Sequence, residues 1–134
     1  MAQGRLILDS GALSALAEGD PRMRAWVTIA TKKHMLLGIP APVLAETITG
    51  RATDARVYRV IPANASVLDT TGAIGREAGR IRYRAKRTAA TVDALIVATA
   101  AMYHGSILLT GDPDDLLALG AQLDAGSKIQ ICAI

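Results

Sequence analysis

Three unbroken apolar runs constrain this chain more than any other feature: Leu6-Ile7-Leu8, Met35-Leu36-Leu37-Gly38-Ile39 and Ser106-Ile107-Leu108-Leu109-Thr110. A strand with one wet face alternates polar and apolar residues. A run that is apolar throughout is a strand covered on both faces, the mark of a parallel sheet whose connections cross over as helices. Helical signals fill the intervals. From Ala12 the chain reads as helix, breaks at Gly19-Asp20-Pro21 and resumes to about Lys33, with Pro21 suited to the first turn. Pro40 and Pro42 stop the second strand and start a helix through Val43, Leu44, Glu46, Thr47 and Ile48, which Gly50 closes, and another covers Asp54 to Val60 ahead of Pro62. A basic helix spans Thr71 to Arg87, Thr91 reads as the N-cap of a helix reaching about His104, and Asp112-Pro113 reads as the N-cap and first residue of a helix through Leu119.

Two weaker strands complete the set. Ser66-Val67-Leu68-Asp69 is stubby, and Lys128 to Ile134 alternates and carries Gln130, so both belong at edges. The predicted fold is therefore α/β: a three-layer α/β/α arrangement around a mostly parallel five-stranded sheet of order 3-2-1-4-5, with right-handed crossovers. All 134 residues form one domain, 1–134, since the chain is too short for two cores. In that order the direction of winding reverses between strands one and four. Ligands of open α/β sheets sit in the crevice at such a switch point, at the carboxyl ends of the strands.

Composition narrows the possibilities. With no Phe and one Trp the core is aliphatic, and stacking of bases on aromatic rings cannot dominate recognition. The single cysteine, Cys132, rules out an internal disulfide and suits a reducing compartment. No apolar stretch approaches the roughly 20 residues that span a bilayer, and Leu6 to Leu8 is too short for a signal-peptide core, so the expected location is the cytoplasm, away from membrane. A net charge of +3 is compatible with a phosphate-rich partner.

Four acids are placed at the crevice: Asp9 after strand one, Glu46 in the helix after strand two, Asp93 opening a later helix, and Asp112 after strand four. Each has an ordinary structural role open to it. Asp112 is a good N-cap, Asp93 suits the positive end of a helix, Asp9 can accept turn hydrogen bonds, and Glu46 can be plain surface. Together they demand more, because two carboxylates about 4 Å apart repel by about 4 kcal/mol at an effective dielectric of 20. No lysine or arginine adjoins them in the sequence, so a divalent cation is the economical counter-charge. All-oxygen donors select Mg²⁺, or Mn²⁺, over Zn²⁺, and His34 and His104 lack metal-ligand spacing. Such a site suits phosphodiester hydrolysis. Asp9, Asp93 and Asp112 are the expected metal ligands; Glu46 ligates directly, acts through water or orients the nucleophile; Thr110 positions a carboxylate or water.

Taken with their flanking residues, these positions resemble a known family. Leu6-Ile7-Leu8-Asp9-Ser10-Gly11-Ala12-Leu13, Pro42-Val43-Leu44-Ala45-Glu46, Thr91-Val92-Asp93-Ala94 and Leu109-Thr110-Gly111-Asp112-Pro113-Asp114-Asp115-Leu116 look like the four acidic motifs of PIN domains, in order and across nearly the whole chain. The resemblance is closest to VapC-type toxins. It implies a Mg²⁺-dependent endoribonuclease acting on RNA, a homodimer, and silencing by a VapB-like antitoxin. One departure is Gly11, where the family often has a small hydroxyl, so that its hydrogen bond falls to Ser10 or to water. Whether Asp114 or Asp115 joins Asp112 at the site stays open here.

The basic segment Arg80, Arg82, Arg84, Lys86 and Arg87 could track an RNA backbone, form a solvated helix face or meet an acidic antitoxin. The stripe of Leu13, Leu16, Trp26, Val27 and Ile29 reads first as core. Two other readings compete with a nuclease. A PIN-fold module that binds RNA or a partner without cutting is opposed by intact acids at all four positions. A receiver-like signalling domain would need paired acids after strand one, where Ser10 follows Asp9, and a lysine after the last strand, whereas Lys128 precedes it.

Overall fold

In a computed structural model, residues 2–134 are described, apart from the side chains of residues 2, 3 and 62–64. The elements are β1 (Ala2–Gln3), β2 (Leu6–Leu8), α1 (Ser10–Ala17), α2 (Pro21–Lys32), β3 (Leu37–Pro40), α3 (Ala41–Thr47), a 3-10 turn (Ala52–Asp54), α4 (Ala55–Asn64) and β4 (Ala65–Leu68). They continue with α5 (Gly72–Arg84), α6 (Thr91–Ala101), β5 (Tyr103–His104), β6 (Ile107–Thr110), α7 (Pro113–Gly120), a second 3-10 turn (Ala125–Ser127) and β7 (Gln130–Ala133).

The main sheet has the order β4-β3-β2-β6-β7, and every pairing in it is parallel. This is the predicted 3-2-1-4-5, with the stubby and the alternating strands at the two edges. The three apolar runs occupy the centre for the expected reason: Leu6, Ile7, Leu8, Ile39, Leu108 and Leu109 are at most 1% exposed, covered by helices on both faces. From those helices Leu13, Met23, Val43, Ile81, Ile96, Leu116 and Leu119 enter the same core. Of the predicted helical stripe, Leu13 is buried, Leu16, Trp26 and Val27 are partly buried, and Ile29 is exposed.

The structure corrects several boundaries. The pair β1 and β5 was not foreseen; two residues per strand carry no pattern to read. Helix α4 runs through Pro62 to Asn64, because a proline in the last turn forfeits one intrahelical bond while its φ remains helical. Helix α3 ends at Thr47, short of Gly50, and α6 ends at Ala101, short of His104. Thr91 is the first residue of α6 and not its N-cap; Ala90 holds that place, and the Thr91 hydroxyl instead accepts from Arg82 Nη1 at 3.3 Å.

Two helices end on a residue in the left-handed region that is not glycine, His34 (φ 54°) after α2 and Lys86 (φ 56°) after α5. In both, the next amide reaches back to close the last turn: Met35 N to Ala30 O at 2.8 Å, and Arg87 N to Arg82 O at 3.1 Å. This termination favours glycine, since a Cβ in left-handed backbone costs about 1–2 kcal/mol.

Candidate metal centre

The central strands place the first and last acids side by side. Leu8 of β2 pairs with Leu109 of β6, and the Asp9 amide donates to Leu109 O at 3.2 Å, so Asp9 leaves the sheet next to Thr110. Asp9 then caps α1, its Oδ1 accepting from Ala12 N at 2.8 Å, and it is 8% exposed. One oxygen is thus fixed by the chain. The other makes no protein hydrogen bond among the described residues.

Thr110 is fully buried, and its hydroxyl accepts from Asp112 N at 3.0 Å, fixing the turn that carries Asp112. Asp112 stands at the N-cap position of α7 with Pro113 behind it, as expected, yet its carboxylate makes no capping bond. The ordinary explanation for that acid is therefore absent, and its side chain is exposed. Glu46, in the last turn of α3, is exposed, and Ser10, the first residue of α1, is half-buried.

Asp93 lies in the first turn of α6 and is the electrostatic centre of the group. Its carboxyl is pushed up from 3.8 to about 6, chiefly by burial, then by the charges of Asp115, Glu46, Asp9 and Asp112 in that order. The charges of the other three acids singled out in the sequence are thus felt at Asp93, and Asp115 adds to them where Asp114 does not. Among the described residues no group of three or more Asp, Glu, His or Cys side chains is arranged to cage a metal ion directly.

A side chain at Gly11 would enter this site: a Cβ there would stand 3.5 Å from Asp9 Oδ1 and 3.6 Å from Gly111 N. The missing hydroxyl of the family pattern thus leaves open space against the first acid, and no hydrogen bond from Ser10 replaces it among the described residues.

The predicted basic face divides into separate roles. Arg80 pairs with Glu77, donates to Gln122 O at 3.2 Å and lies 3.8 Å from Asp124, which ties α5 to the segment after α7. Arg82 Nη1 donates to Thr88 O at 2.9 Å, pinning the loop between α5 and α6. Arg84 and Lys86 are exposed. Arg87 lies at the acids, its Nε 3.1 Å from Asp115 Oδ1. A cation does therefore adjoin the cluster; it is separated from Asp115 by 28 positions, so the local sequence gave no sign of it.

A further acid was missed as a structural element. Asp54 is 7% exposed and accepts from Thr49 N, Thr49 Oγ1 (2.8 Å) and Gly50 N (2.7 Å), shaping the loop after α3. Those bonds, the Thr49 amide first, hold its carboxyl below the usual carboxylate range.

A search of curated protein sequences finds no match. A chain of the Rickettsia felis VapBC2 complex bound to a DNA fragment from its promoter superposes with a TM-score of 0.70 at 12% identity, covering 95% of this chain and 98% of that one. A chain of DNA-bound VapBC from Salmonella typhimurium gives 0.67 at 19% identity, covering 96% and 98%. At such identities the likeness establishes the fold alone. Among the described residues no helix is long and apolar enough to cross a membrane. The family profile described as PIN domain matches residues 6–120, most of the chain and all four acidic segments, and the chain belongs to that family.

Proposed function

We propose that this protein is a metal-dependent endoribonuclease that hydrolyses RNA phosphodiester bonds, and that it is the toxin of a type II pair, working in the cytoplasm as a homodimer restrained by a VapB-like antitoxin. The observation that carries the reading is the convergence of Asp9, Glu46, Asp112 and Asp115 on Asp93 at the switch point of the sheet. Structural carboxylates find partners, as Asp54 does with Thr49 and Gly50. Those around Asp93 leave a carboxylate at a helix start without a capping bond and another raised to about 6. Groups held at such cost mark functional sites.

Asp9, Asp93 and Asp112 would hold the cation, with Glu46 beside them as ligand or as orienter of the attacking water. When bound, Mg²⁺ or Mn²⁺ supplies a Lewis acid that lowers the pKa of water and steadies charge on a phosphoryl oxygen. The chain's own contribution is placement. Ala12 N fixes one oxygen of Asp9, the buried Thr110 hydroxyl fixes the Asp112 turn, and Asp93 is held partly withdrawn from solvent.

The test is cleavage of a labelled RNA by protein stripped with chelator and then given Mg²⁺ or Mn²⁺. Activity should appear only on metal addition and should vanish in Asp9→Asn and Asp93→Asn while the circular dichroism spectrum is kept. Cleavage by wild type and both variants alike would reject the mechanism and point to a contaminating nuclease. RNA binding without metal-dependent cutting would mark a PIN-fold binding module instead.

A further inference from the structure

Residues 86 to 90, with Asp93 and Asp115, line a cleft of about 350 Å³ beside the acid cluster. Its size is at the small end of the ~300–1,000 Å³ typical of ligand pockets. The loop forming its wall is held at both ends. Arg82 clamps it through Thr88 O (2.9 Å) and the Thr91 hydroxyl (3.3 Å), and Lys86 enters it in the left-handed region at φ 56°.

Within the cleft Arg87 is tethered but not spent. Its Nε donates to Asp115 at 3.1 Å and its Nη1 to Ala85 O at a long 3.4 Å, while Nη2 makes no hydrogen bond among the described residues. The side chains of the pair are 45% and 46% exposed. An ion pair so open contributes about 0–1 kcal/mol to stability, so folding alone gives little reason to hold it. Electrostatics gives a better one. A polyanion approaching five carboxylates is repelled, and a strand that must lie against them needs a fixed cation at the rim. A guanidinium held at one edge presents its remaining N–H donors in a planar fork that matches a phosphate.

On the reading that the acids serve RNA cleavage, we propose that Arg87 seats a backbone phosphate of the RNA strand next to the acid cluster, with Lys86 as the second cation of that subsite, and that Asp115 is a positioning residue for Arg87 and not a metal ligand. Arg82 supports the subsite by pinning its loop. Arg80 takes no part, since Glu77, Gln122 and Asp124 occupy it.

The experiment measures binding of a labelled RNA oligonucleotide by fluorescence anisotropy in chelator, where the metal-dependent reaction does not run, beside Mn²⁺ titration of the same proteins by calorimetry. Arg87→Ala should weaken oligonucleotide binding about ten-fold, roughly the loss of one charged hydrogen bond, and lower the salt slope by about one. The charge-matched control Arg22→Ala, on the outer face of α2 beside Asp20, should change binding less than two-fold. Asp115→Asn should weaken binding about three-fold while Mn²⁺ affinity holds. Removal of a negative charge alone would instead tighten binding of a polyanion, so the direction reports lost orientation. In the Asp115→Asn background, Arg87→Ala should cost less than it does in wild type. Wild-type binding by Arg87→Ala, tighter binding by Asp115→Asn, or loss of Mn²⁺ affinity in Asp115→Asn would each overturn the assignment. If the wild type cuts RNA but Arg87→Ala binds unchanged, only this inference falls; if the wild type neither binds nor cuts, the nuclease reading falls with it.

Discussion

Replacing Asp93 by Asn should make the metal-free protein more stable while abolishing its activity. The carboxyl titrates at about 6 in the fold against 3.8 in the free state, and each unit is worth about 1.4 kcal/mol, so ionised Asp93 costs the fold about 3 kcal/mol at most. Asp93 is partly exposed, and halving the figure for solvent screening leaves about 1.5 kcal/mol. A carboxylate in the first turn of α6 also gains from the helix dipole, about 0.5 kcal/mol, which Asn forgoes. Repulsion and desolvation win, leaving a net gain of about 1 kcal/mol. For 134 residues at about 2.1 cal/mol/K of unfolding entropy each, that raises Tm by about 4 °C. The sign with pH follows from the raised value. Between pH 3.8 and about 6 the folded state keeps a proton that the unfolded state has released, so wild-type stability falls as pH rises through that window. Urea denaturation in chelator should therefore show Asp93→Asn ahead at pH 7.5 and most of the advantage gone at pH 4. A variant less stable than wild type at pH 7.5, or a gain equal at both pH values, would refute this account of the cluster.

Further outcomes follow from single positions. Lys86→Gly and His34→Gly should each raise stability by about 0.5–1 kcal/mol in urea melts, by relieving left-handed backbone at a helix end, but only Lys86→Gly should weaken oligonucleotide binding. Asp54, whose carboxyl is held below its ordinary value, stabilises the fold above pH 3.8 and loses that contribution as pH falls through the lower folded value. A melting series from pH 5 to pH 3 should be flatter for Asp54→Asn than for wild type. Leu108→Ala, in the centre of the sheet and fully buried, should cost about 2–5 kcal/mol by equilibrium denaturation.

The sheet was legible in the sequence because strands buried on both faces cannot alternate, so Leu6 to Leu8 and Ile107 to Thr110 identified themselves as central, and the ligand rule placed Asp9 and Asp112 at one crevice. The same reading set Glu46, in the helix after the second strand, and Asp93, opening a later helix, at that end, and the charge of Glu46 is felt at Asp93. What the sequence hid is tertiary. The tie of Asp115 to Arg87, the clamp of Arg82 on Thr88 and Thr91, and the grip of Asp54 on Thr49 and Gly50 have no local signature. The basic run divides for the same reason: cations close together in the chain have partners that assign Arg80 to α5 and the segment after α7, Arg82 to the loop, and Arg87 to the acids. Asp112 reverses the pattern, since its N-cap position was readable and its lack of a capping bond was not.

Calorimetric titration of Mg²⁺ or Mn²⁺ into the chelator-stripped wild type and into Asp93→Asn tests the central claim most directly. The wild type should bind saturably, and Asp93→Asn should lose that binding. Absence of binding by the wild type, or equal binding by both, would contradict it.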